Sequence, residues 1–314
     1  MAAGWHIGVI GGTGLYEGDM IEDAQQIPVK SAFGEPSGSV TTGTIAGVRF
    51  TFLPRHPPGH RIPPRAINYR ANVDVLKRCG VTDLLSISAI GSLREELAPG
   101  DFVVIDQILD RTLGRERSFF GNGFAAHVSL ADPVCPRLAG LAADAAEKSG
   151  AKVHRGGCYV AIEGPQFSTR AESRLYREWG ADVIGMTAMP EARLARETEL
   201  PYAVLAMVTD YDSWRDNGEE VTVSDIVAVL QANVDKARTA LAKLASALPP
   251  EREESPIDRA LDGAIVTSAD LRDPVLAARL RAVAGRLLGW RDRIATPGLH
   301  ACFSYRPTVT VGTI

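Results

Sequence analysis

Two aspartates, Asp210 and Asp212, are the residues of this chain best placed to do acid–base chemistry. The most continuous apolar strand candidate, residues 202–209, leads into them, which predicts a fully buried strand. Burial at the end of such a strand disfavours the charged form of a carboxylate and so raises its pKa. An acid with a raised pKa can protonate a basic ring nitrogen. Acidic residues at loop starts also cap helices or bind metals, and spacing alone leaves these roles open.

A glycine-rich turn near the N-terminus is a candidate anion site. An apolar run at residues 7–10 ends in Gly11-Gly12-Thr13-Gly14, where the glycines let several backbone N–H groups point at one anion and Thr13 adds a hydroxyl. A dinucleotide loop would need a small residue where Glu17 stands, and no Gly-Lys-Ser or Gly-Lys-Thr follows for a triphosphate loop. A general oxyanion cradle and a glycine turn without a ligand both remain open.

Two more predicted strands end in residues that suit a phosphate. Residues 48–53 lead into Arg55 and His56, and the planar guanidinium of an arginine fits two phosphate oxygens. A later strand runs into Ser88 and Ala89, where small residues leave a hydroxyl and backbone N–H groups accessible. Ligands of α/β proteins bind at strand ends, so these positions are candidates for one shared site. The alternatives are a surface arginine, a structural histidine and a plain loop.

An aromatic ring and a thioether complete the set of candidates. Phe167 stands between a Gly-Pro turn and a predicted helix start, with Ser168 next to it. Its ring could stack on a flat base or pack in the core. Met186 and Thr187 close another predicted strand, where a methionine offers a flexible apolar surface but is commonly core filler.

The composition excludes several classes of function. The 314 residues carry a net charge of −4, with a pI near 5.9 and no basic run, which argues against binding to nucleic acid or a membrane surface. The four cysteines are far apart and form no C-x-x-C pair, so we expect reduced thiols in a cytoplasmic protein. We find no signal peptide and no stretch of the ~18 apolar residues that span a membrane.

Strand and helix patterns alternate along the chain. Apolar runs predict strands at residues 48–53, 81–88, 102–108, 182–186 and 202–209. Helical spacing and stop signals predict helices at residues 66–79, 137–148 and 169–180, and a further helix that contains Val223, Ile226 and Leu230. We therefore predict an α/β fold, a single domain with a central mixed β-sheet flanked by helices.

A change in composition marks the end of this body. Residues 248–256 are charged and punctuated by prolines, which predicts a linker. We assign residues 1–248 to the main domain and residues 249–314 to the linker and a C-terminal extension. In the extension, residues 273–288 have helical spacing, whereas residues 294–314 show no helical period and could be disordered or an edge strand.

Taken in order, these motifs resemble those of the methylthioadenosine phosphorylases, members of the trimeric purine nucleoside phosphorylase family. The resemblance covers residues 5–247. The matching segments are Gly11-Gly12-Thr13-Gly14-Leu15, Arg55-His56, Asn68-Tyr69-Arg70-Ala71-Asn72, Gly91-Ser92-Leu93-Arg94-Glu95-Glu96, Pro99-Gly100-Asp101, Asp106-Gln107, Glu163-Gly164-Pro165-Gln166-Phe167-Ser168, Met186-Thr187 and Thr209-Asp210-Tyr211-Asp212. So many matches in sequence order favour the functional role at each position.

The resemblance implies a phosphorolysis. Inorganic phosphate attacks C1′ of 5′-methylthioadenosine and gives adenine and 5-methylthioribose 1-phosphate, without a metal or organic cofactor. Asp210 is by similarity the catalytic residue, which protonates or hydrogen-bonds N7 of the leaving base. The implied phosphate ligands are Thr13, Arg55, His56, Ser88, Thr187 and the backbone of Ala89. The implied nucleoside ligands are Met186 at the ribose and Phe167, Ser168, Asp210 and Asp212 around the purine.

The resemblance also bears on specificity. Carboxylates at Asp210 and Asp212 can accept from the N6 amino group of adenine and would repel the oxygen of hypoxanthine, and the 6-oxopurine branches carry asparagine at the Asp210 position. Val223 and Ile226 fall where the family forms an apolar slot for the methylthio group. His127 resembles the residue that a neighbouring subunit adds to this slot, which implies a homotrimer with shared sites.

The chain departs from the eukaryotic enzymes of the family at two of these positions. Ser88 stands where they have threonine, which keeps the hydroxyl. Gly185 stands where they have asparagine, which removes a polar side chain near the sugar and could widen the range of nucleosides.

Three other functions remain open at this stage. One is a broad-specificity or 6-oxopurine nucleoside phosphorylase, which would act on inosine and guanosine. Another is a non-catalytic protein that binds or senses nucleosides. A third is a hydrolase that uses water in place of phosphate.

Overall fold

The computed structural model describes residues 4–16, 20–57, 59–215 and 223–288. Strands and helices alternate along most of it. The strands are β1 (His6–Gly11), β2 (Glu22–Ile27), β3 (Val40–Ile45), β4 (Val48–Pro54), β5 (Asp83–Ser92), β6 (Phe102–Val104), β7 (Gln107–Asp110), β8 (Val153–Arg155), β9 (Cys158–Ala161), β10 (Val183–Gly185) and β11 (Tyr202–Asp210). The helices are α1 (Tyr69–Arg78), α2 (Pro136–Glu147), α3 (Arg170–Glu178), α4 (Ala188–Glu197), α5 (Val223–Ala247), α6 (Pro274–Arg279) and α7 (Arg281–Ala284).

These strands form one mixed sheet that branches at β5. β5 pairs in parallel with β1 and β11 and antiparallel with β10. One arm of the sheet runs from β1 through β4 and β3 to β2, a second from β10 through β9 to β7, and a third from β11 through β6 to β8. The predicted α/β fold with a central mixed sheet is confirmed.

The central strands are buried along nearly their whole length. Every residue of β1 is buried, and in β11 only the last residue, Asp210, is partly exposed. Helices α2 and α5 pack against β11 and against each other, and α1 packs against α4. Strands covered in this way have continuous apolar sequences, which is why apolar runs in the sequence identified them readily.

Side-chain caps fix the starts of helices α1 and α3. Oδ1 of Asn68 accepts a hydrogen bond from the backbone N–H of Ala71 at 3.1 Å, at the start of α1. Thr169 and Glu172 form a capping box at the start of α3, in which each side chain accepts from the backbone N–H of the other residue. This cap ends the segment that carries Phe167 and therefore limits where its ring can lie.

The prediction of one strand at residues 102–108 is wrong. β6 pairs with β11 and β8, whereas β7 pairs with β9, so the chain changes partners between them. The break occurs where the N–H groups of Asp106 and Gln107 both donate to the carbonyl oxygen of Gly157. Apolar residues stand on both sides of this break, in the buried β6 and in the partly exposed β7, and they carry no information about the change of partner.

β2 and β3 have no counterpart among the predicted strands. β2 is an edge strand with five exposed residues and almost no apolar side chains, and β3 is mostly half-buried threonine and glycine. β2 and β3 form a hairpin that joins the sheet because β3 pairs with β4. The hairpin sequence lacks the alternation of apolar and polar residues that is typical of a strand.

The segment predicted to be a linker is fixed to the body of the protein. Arg252 lies in it, is buried, and forms ion pairs with Asp83 and Asp258. Further along, Ile265 forms an isolated β-bridge with Ala126. Arg252 thus anchors this segment, whereas its three glutamates, Glu251, Glu253 and Glu254, are exposed.

Two short helices, α6 and α7, stand where one helix over residues 273–288 was predicted. Leu280 separates them with a non-helical ψ of 5°. Its side chain is buried in the main hydrophobic core together with Val283 and Ala284, which fixes the bend. The predicted disorder or edge strand over residues 294–314 lies outside the described residues.

Candidate active site

Carboxyl ends of parallel strands meet at one edge of the sheet, where the predicted phosphate residues stand. β1 lies between β4 and β5 and is parallel to both. Gly11, the last residue of β1, pairs with Pro54, and the backbone N–H of Arg55 donates to the carbonyl oxygen of Gly11 at 2.9 Å. The glycine turn and Arg55 are therefore direct neighbours.

The guanidinium of Arg55 points into the protein and is held there. Its Nε donates to Oε1 of Glu191 at 2.7 Å, and its Nη atoms donate to Ser86 Oγ and to the carbonyl oxygens of Ile10 and Ile87 at 2.7–3.0 Å. Burial opposes the charge, but Glu191 outweighs it and the pKa of Arg55 is raised. Most of the N–H groups expected to grip phosphate thus bind protein atoms, and a direct phosphate contact by Arg55 stays a prediction.

Glu191 is an important residue that sequence reasoning missed. It lies in α4, is only 1% exposed, and accepts hydrogen bonds from Ser86 Oγ at 3.0 Å and Tyr202 Oη at 3.1 Å besides its pair with Arg55. A signal was present, because Glu191 is the one charged residue in the mostly apolar stretch 184–192. An acidic residue among apolar neighbours at a helix start predicts a buried partner of opposite charge.

His56 is half-buried and stacks on His60. The ring centroids are 3.8 Å apart, and Nδ1 of His56 lies 3.4 Å from the carbonyl oxygen of Ile62. Burial lowers the pKa of His56 to about 4, and the nearby His60 and Arg55 act in the same direction. The imidazole is therefore neutral at pH 7 and can offer one N–H to an anion.

Two hydroxyls predicted to bind phosphate come together in the structure. Ser88 Oγ, on β5, lies 3.2 Å from Oγ1 of Thr187, the residue before α4. Tyr159 helps to hold Thr187, since its Oη accepts a hydrogen bond from the backbone N–H of Thr187 at 3.4 Å. Ala89 follows Ser88 on the same strand and is paired with Met207 of β11.

Asp210 ends β11 at a shift in register between this strand and β5. Its Oδ1 accepts from Thr209 Oγ1 at 2.7 Å, and its Oδ2 accepts from the backbone N–H of Asp212 at 2.9 Å. Burial raises the pKa of Asp210, and these two hydrogen bonds only partly offset it. A side chain at Gly91 would begin 3.0 Å from Oδ2, so a glycine there leaves the carboxyl room.

Asp212 and Ser168 carry polar atoms that face no protein partner. Asp212 is buried, has a left-handed backbone with a φ of 45°, and its pKa is raised by burial. Among the described residues, Oδ2 of Asp212 and Oγ of Ser168 are both buried without a hydrogen-bond partner. Unpaired buried polar atoms are uncommon in folded proteins, so these two are available to a ligand.

Phe167 and Met186 line the same region. Phe167 is 46% exposed, so its ring is not core packing and keeps a free face. Met186 is half-buried, and a side-chain atom added at Gly164 would lie 2.4 Å from its sulfur. Gly164 therefore makes room for the thioether, and its φ of 64° suits glycine.

Four further predicted residues are His127, Thr13, Val223 and Ile226. His127 is exposed, and its backbone N–H donates to the carbonyl oxygen of Ala264 at 2.8 Å. The side chains of Thr13, Val223 and Ile226 lie outside the described residues. Their predicted roles stay predictions.

Within the described ranges, no group of three or more His, Cys, Asp or Glu side chains is arranged to hold a metal ion. The same part of the chain contains no helix with the length and apolar character of a membrane span.

Comparison with known proteins gives the family. The family described as the phosphorylase superfamily matches residues 6–248. A protein of Cereibacter sphaeroides named S-methyl-5'-thioadenosine phosphorylase is 56% identical over 284 residues, which cover 90% of this chain and 98% of that protein. This chain belongs to the methylthioadenosine phosphorylase family. A phosphorylase of the same name from Bradyrhizobium diazoefficiens has the same identity and coverage.

Solved structures of the methylthioadenosine phosphorylase family have the same fold. A methylthioadenosine phosphorylase from an antarctic soil metagenomic library is 41% identical, with a TM-score of 0.85 over 89% of this chain and 99% of that one. A mutant of the Schistosoma mansoni adenosine/methylthioadenosine phosphorylase, in complex with methylthioadenosine, is 33% identical, with a TM-score of 0.72 over 90% and 98% of the two chains. The resemblance inferred from the motifs is confirmed.

Proposed function

We propose that this protein catalyses the phosphorolysis of 5′-methylthioadenosine to adenine and 5-methylthioribose 1-phosphate. The spacing along β5 carries the proposal. Ser88, with its hydroxyl on Thr187, and Gly91, which lies against Asp210, are three residues and therefore about 10 Å apart. In the proposed complex, a phosphate near Ser88 and a purine near Asp210 would lie on either side of the ribose. The named relatives support the same activity.

In the proposed reaction, the bond between C1′ and N9 breaks and its electron pair goes to the base. An oxygen of phosphate forms the new bond to C1′. Positive charge on the sugar in the transition state is stabilised by the adjacent phosphate dianion. Asp210 gives a proton or a hydrogen bond to N7, and its raised pKa favours the protonated form that this role requires.

Adenine is the favoured base in this proposal. The unpaired Oδ2 of Asp212 can accept from the N6 amino group, and Ser168 Oγ can donate to a ring nitrogen of adenine. At the sugar, a side chain on Gly185 would begin 2.1 Å from Tyr159 Oη, so the tyrosine hydroxyl already fills that space. We therefore infer that the glycine does not enlarge the sugar site. Val223 and Ile226 keep their proposed place at the methylthio group.

The proposal includes a homotrimer with shared sites, phosphate as co-substrate, no cofactor, and a cytoplasmic location. Two exposed apolar side chains support an interface. Leu113 is 72% exposed and Trp179 is 46% exposed. Arg111, two residues before Leu113, places its guanidinium 5.5 Å from the centre of the Trp179 ring. Exposed apolar side chains grouped in this way are typical of surfaces between subunits. His127 would reach a neighbouring site across it.

The test is the release of adenine from methylthioadenosine with and without phosphate, compared with adenosine and inosine. We expect phosphate-dependent release and the highest kcat/KM for methylthioadenosine, with a preference over adenosine of about tens-fold. A kcat/KM about tenfold higher for inosine would contradict the assignment of the two aspartates and favour a 6-oxopurine enzyme.

The same experiment separates the remaining alternatives. Release at the same rate without phosphate would indicate a hydrolase. Binding of methylthioadenosine without any release of adenine would indicate a nucleoside-binding protein.

A further inference from the structure

Arg115 is a buried charged residue that the proposed reaction does not use. It lies in the segment between β7 and α2, and its side chain is 1% exposed. Removing a guanidinium from water is unfavourable unless its N–H groups are all paired. Its hydrogen-bond partners therefore indicate what the residue is for.

The partners of Arg115 belong to three separate parts of the chain. Its Nε donates to Glu163 Oε2 at 3.0 Å. Its Nη2 donates to the carbonyl oxygens of Glu163 at 2.8 Å and Ile162 at 3.2 Å. Its Nη1 donates to the carbonyl oxygens of Met186 at 2.6 Å and Met189 at 2.8 Å, and to Tyr69 Oη at 3.1 Å.

These parts carry the two halves of the site. Glu163 begins the segment that ends in Phe167 and Ser168 on the purine side. The carbonyl of Met186 precedes Thr187 directly, on the phosphate side. One planar guanidinium thus bonds the backbone of both segments at once, with its two Nη atoms facing different segments.

The neighbouring chain reinforces the purine side of this contact. The backbone N–H of Leu113 also donates to Glu163 Oε2, at 2.8 Å. The guanidinium lies 5.4 Å from the centre of the Tyr69 ring, so α1 supports it from a third direction. Arg115 is accordingly fixed on both sides and cannot turn toward a substrate.

We propose that Arg115 is a positioning residue that holds the purine-side and phosphate-side segments in register, so that base, sugar and phosphate line up for attack at C1′. The inference rests on the proposed function. Arg115 acts through backbone carbonyls, and phosphate and nucleoside each keep their own direct ligands when Arg115 is replaced. Misalignment of reacting atoms by about 1 Å costs on the order of 100-fold in rate.

The variant Arg115→Met tests this role. We expect kcat for methylthioadenosine to fall by about 30-fold or more, because alignment is lost. The dissociation constants of adenine alone and of phosphate alone, measured by calorimetry, should stay within about threefold, because each half-site is intact. Arg115→Lys should recover only part of kcat, since an ammonium group lacks the fork that reaches both segments.

A matched control lies two residues further on. Arg117 is 43% exposed, and within the described part of the chain its polar contacts are with Asp110 at the end of β7 and with Thr112. Arg117→Met should keep kcat within about twofold. If Arg115→Met is insoluble, Tyr69→Phe removes one contact to Arg115 and should lower kcat by about threefold or more, with the same unchanged dissociation constants.

The outcomes separate this inference from the proposed function. A wild-type protein that releases no adenine in the presence of phosphate would refute the proposed function itself. An active wild type with unchanged kcat in Arg115→Met, and only a lower melting temperature, would give Arg115 a purely structural role. A loss of affinity for one substrate alone that accounts for the whole effect would also overturn the inference.

Discussion

At the scale of single residues, the pKa shifts in the site favour neutral side chains around a charged substrate. Burial raises the pKa of Asp210 and Asp212 and lowers that of His56. In the proposed reaction, a neutral imidazole at the anion and an acid that holds its proton more readily than usual at the base would leave the phosphate dianion as the main negative charge next to C1′. That is the arrangement that stabilises a cationic sugar.

Asp210→Asn tests the acid at the base. An amide cannot transfer a proton, so kcat/KM for methylthioadenosine should fall by about 100-fold. The amide N–H group can donate to a 6-oxo group, so kcat/KM for inosine should partly improve. Steady-state kinetics on both substrates measure this. Asp235→Asn, an exposed change on α5, should leave both values unaltered. An equal loss for both nucleosides would count against the role of Asp210 in base recognition.

The pH dependence of turnover follows from the same residue. Because burial raises the pKa of Asp210, the proton is retained above the pH at which an ordinary aspartate ionises, and it is lost as the pH rises through the raised pKa. We therefore expect kcat to fall on the alkaline side. A pH–rate profile of Asp210→Asn should lack this limb, and an unchanged limb in the variant would assign it to another group.

At the scale of elements, α4 connects the phosphate side of the site to the sheet and to the segment before α2. Glu191, at the start of α4, pairs with Arg55, whose guanidinium also donates to carbonyl oxygens of β1 and β5. Glu197 at its end accepts from Ser118 Oγ and from the backbone N–H of Phe119, both at 2.7 Å. Two acidic residues of one helix thus anchor two different parts of the chain.

Glu191→Gln should destabilise the fold strongly. It leaves the buried charge of Arg55 without a counter-charge, which costs about 3 kcal/mol or more in the free energy of unfolding. Urea denaturation at pH 7 measures it, with Glu178→Gln, an exposed change on α3, as the control. A loss no larger than that of the control would mean that Arg55 finds other partners.

Glu197 should make stability depend on pH. Burial raises its pKa from 4.5 to about 7, so the folded state holds a proton that the unfolded chain releases. Its stabilising contribution is full below the unfolded pKa and is lost as the pH rises through the folded pKa, by roughly 3 kcal/mol at most. Glu197→Gln should flatten this decline between about pH 5 and pH 8 in urea denaturation. The same slope in both proteins would exclude Glu197 as its cause.

At the scale of the whole molecule, the proposed homotrimer predicts that subunits complete each other's sites. A trimer of 33.6 kDa chains has a mass of about 101 kDa, three times the chain mass, in light scattering. Trp179→Glu should dissociate it and lower turnover, because the side chain is exposed in one subunit and expected to be buried between two. Leu271→Glu, at a side chain that is 72% exposed in another part of the chain, is the control. A wild-type monomer with full activity would contradict the shared sites.

The sequence predicted those parts of the fold whose strands are buried on both faces, such as β1, β5 and β11. It did not predict the hairpin of β2 and β3, which depends on pairing with β4, or the break between β6 and β7. Residue types at strand ends predict a site there, because ligands of α/β proteins bind at strand ends. Periodicity could not show that Arg55 turns inward to Glu191, since the two are 136 residues apart and meet only in the folded chain.

The central claim is that phosphate and nucleoside react in one site. Phosphorus-31 NMR of a reaction with methylthioadenosine and inorganic phosphate tests it most directly. We predict that the phosphate signal is replaced by that of a sugar 1-phosphate, in a one-to-one ratio with the adenine released. Adenine release while the inorganic phosphate signal stays constant would contradict it.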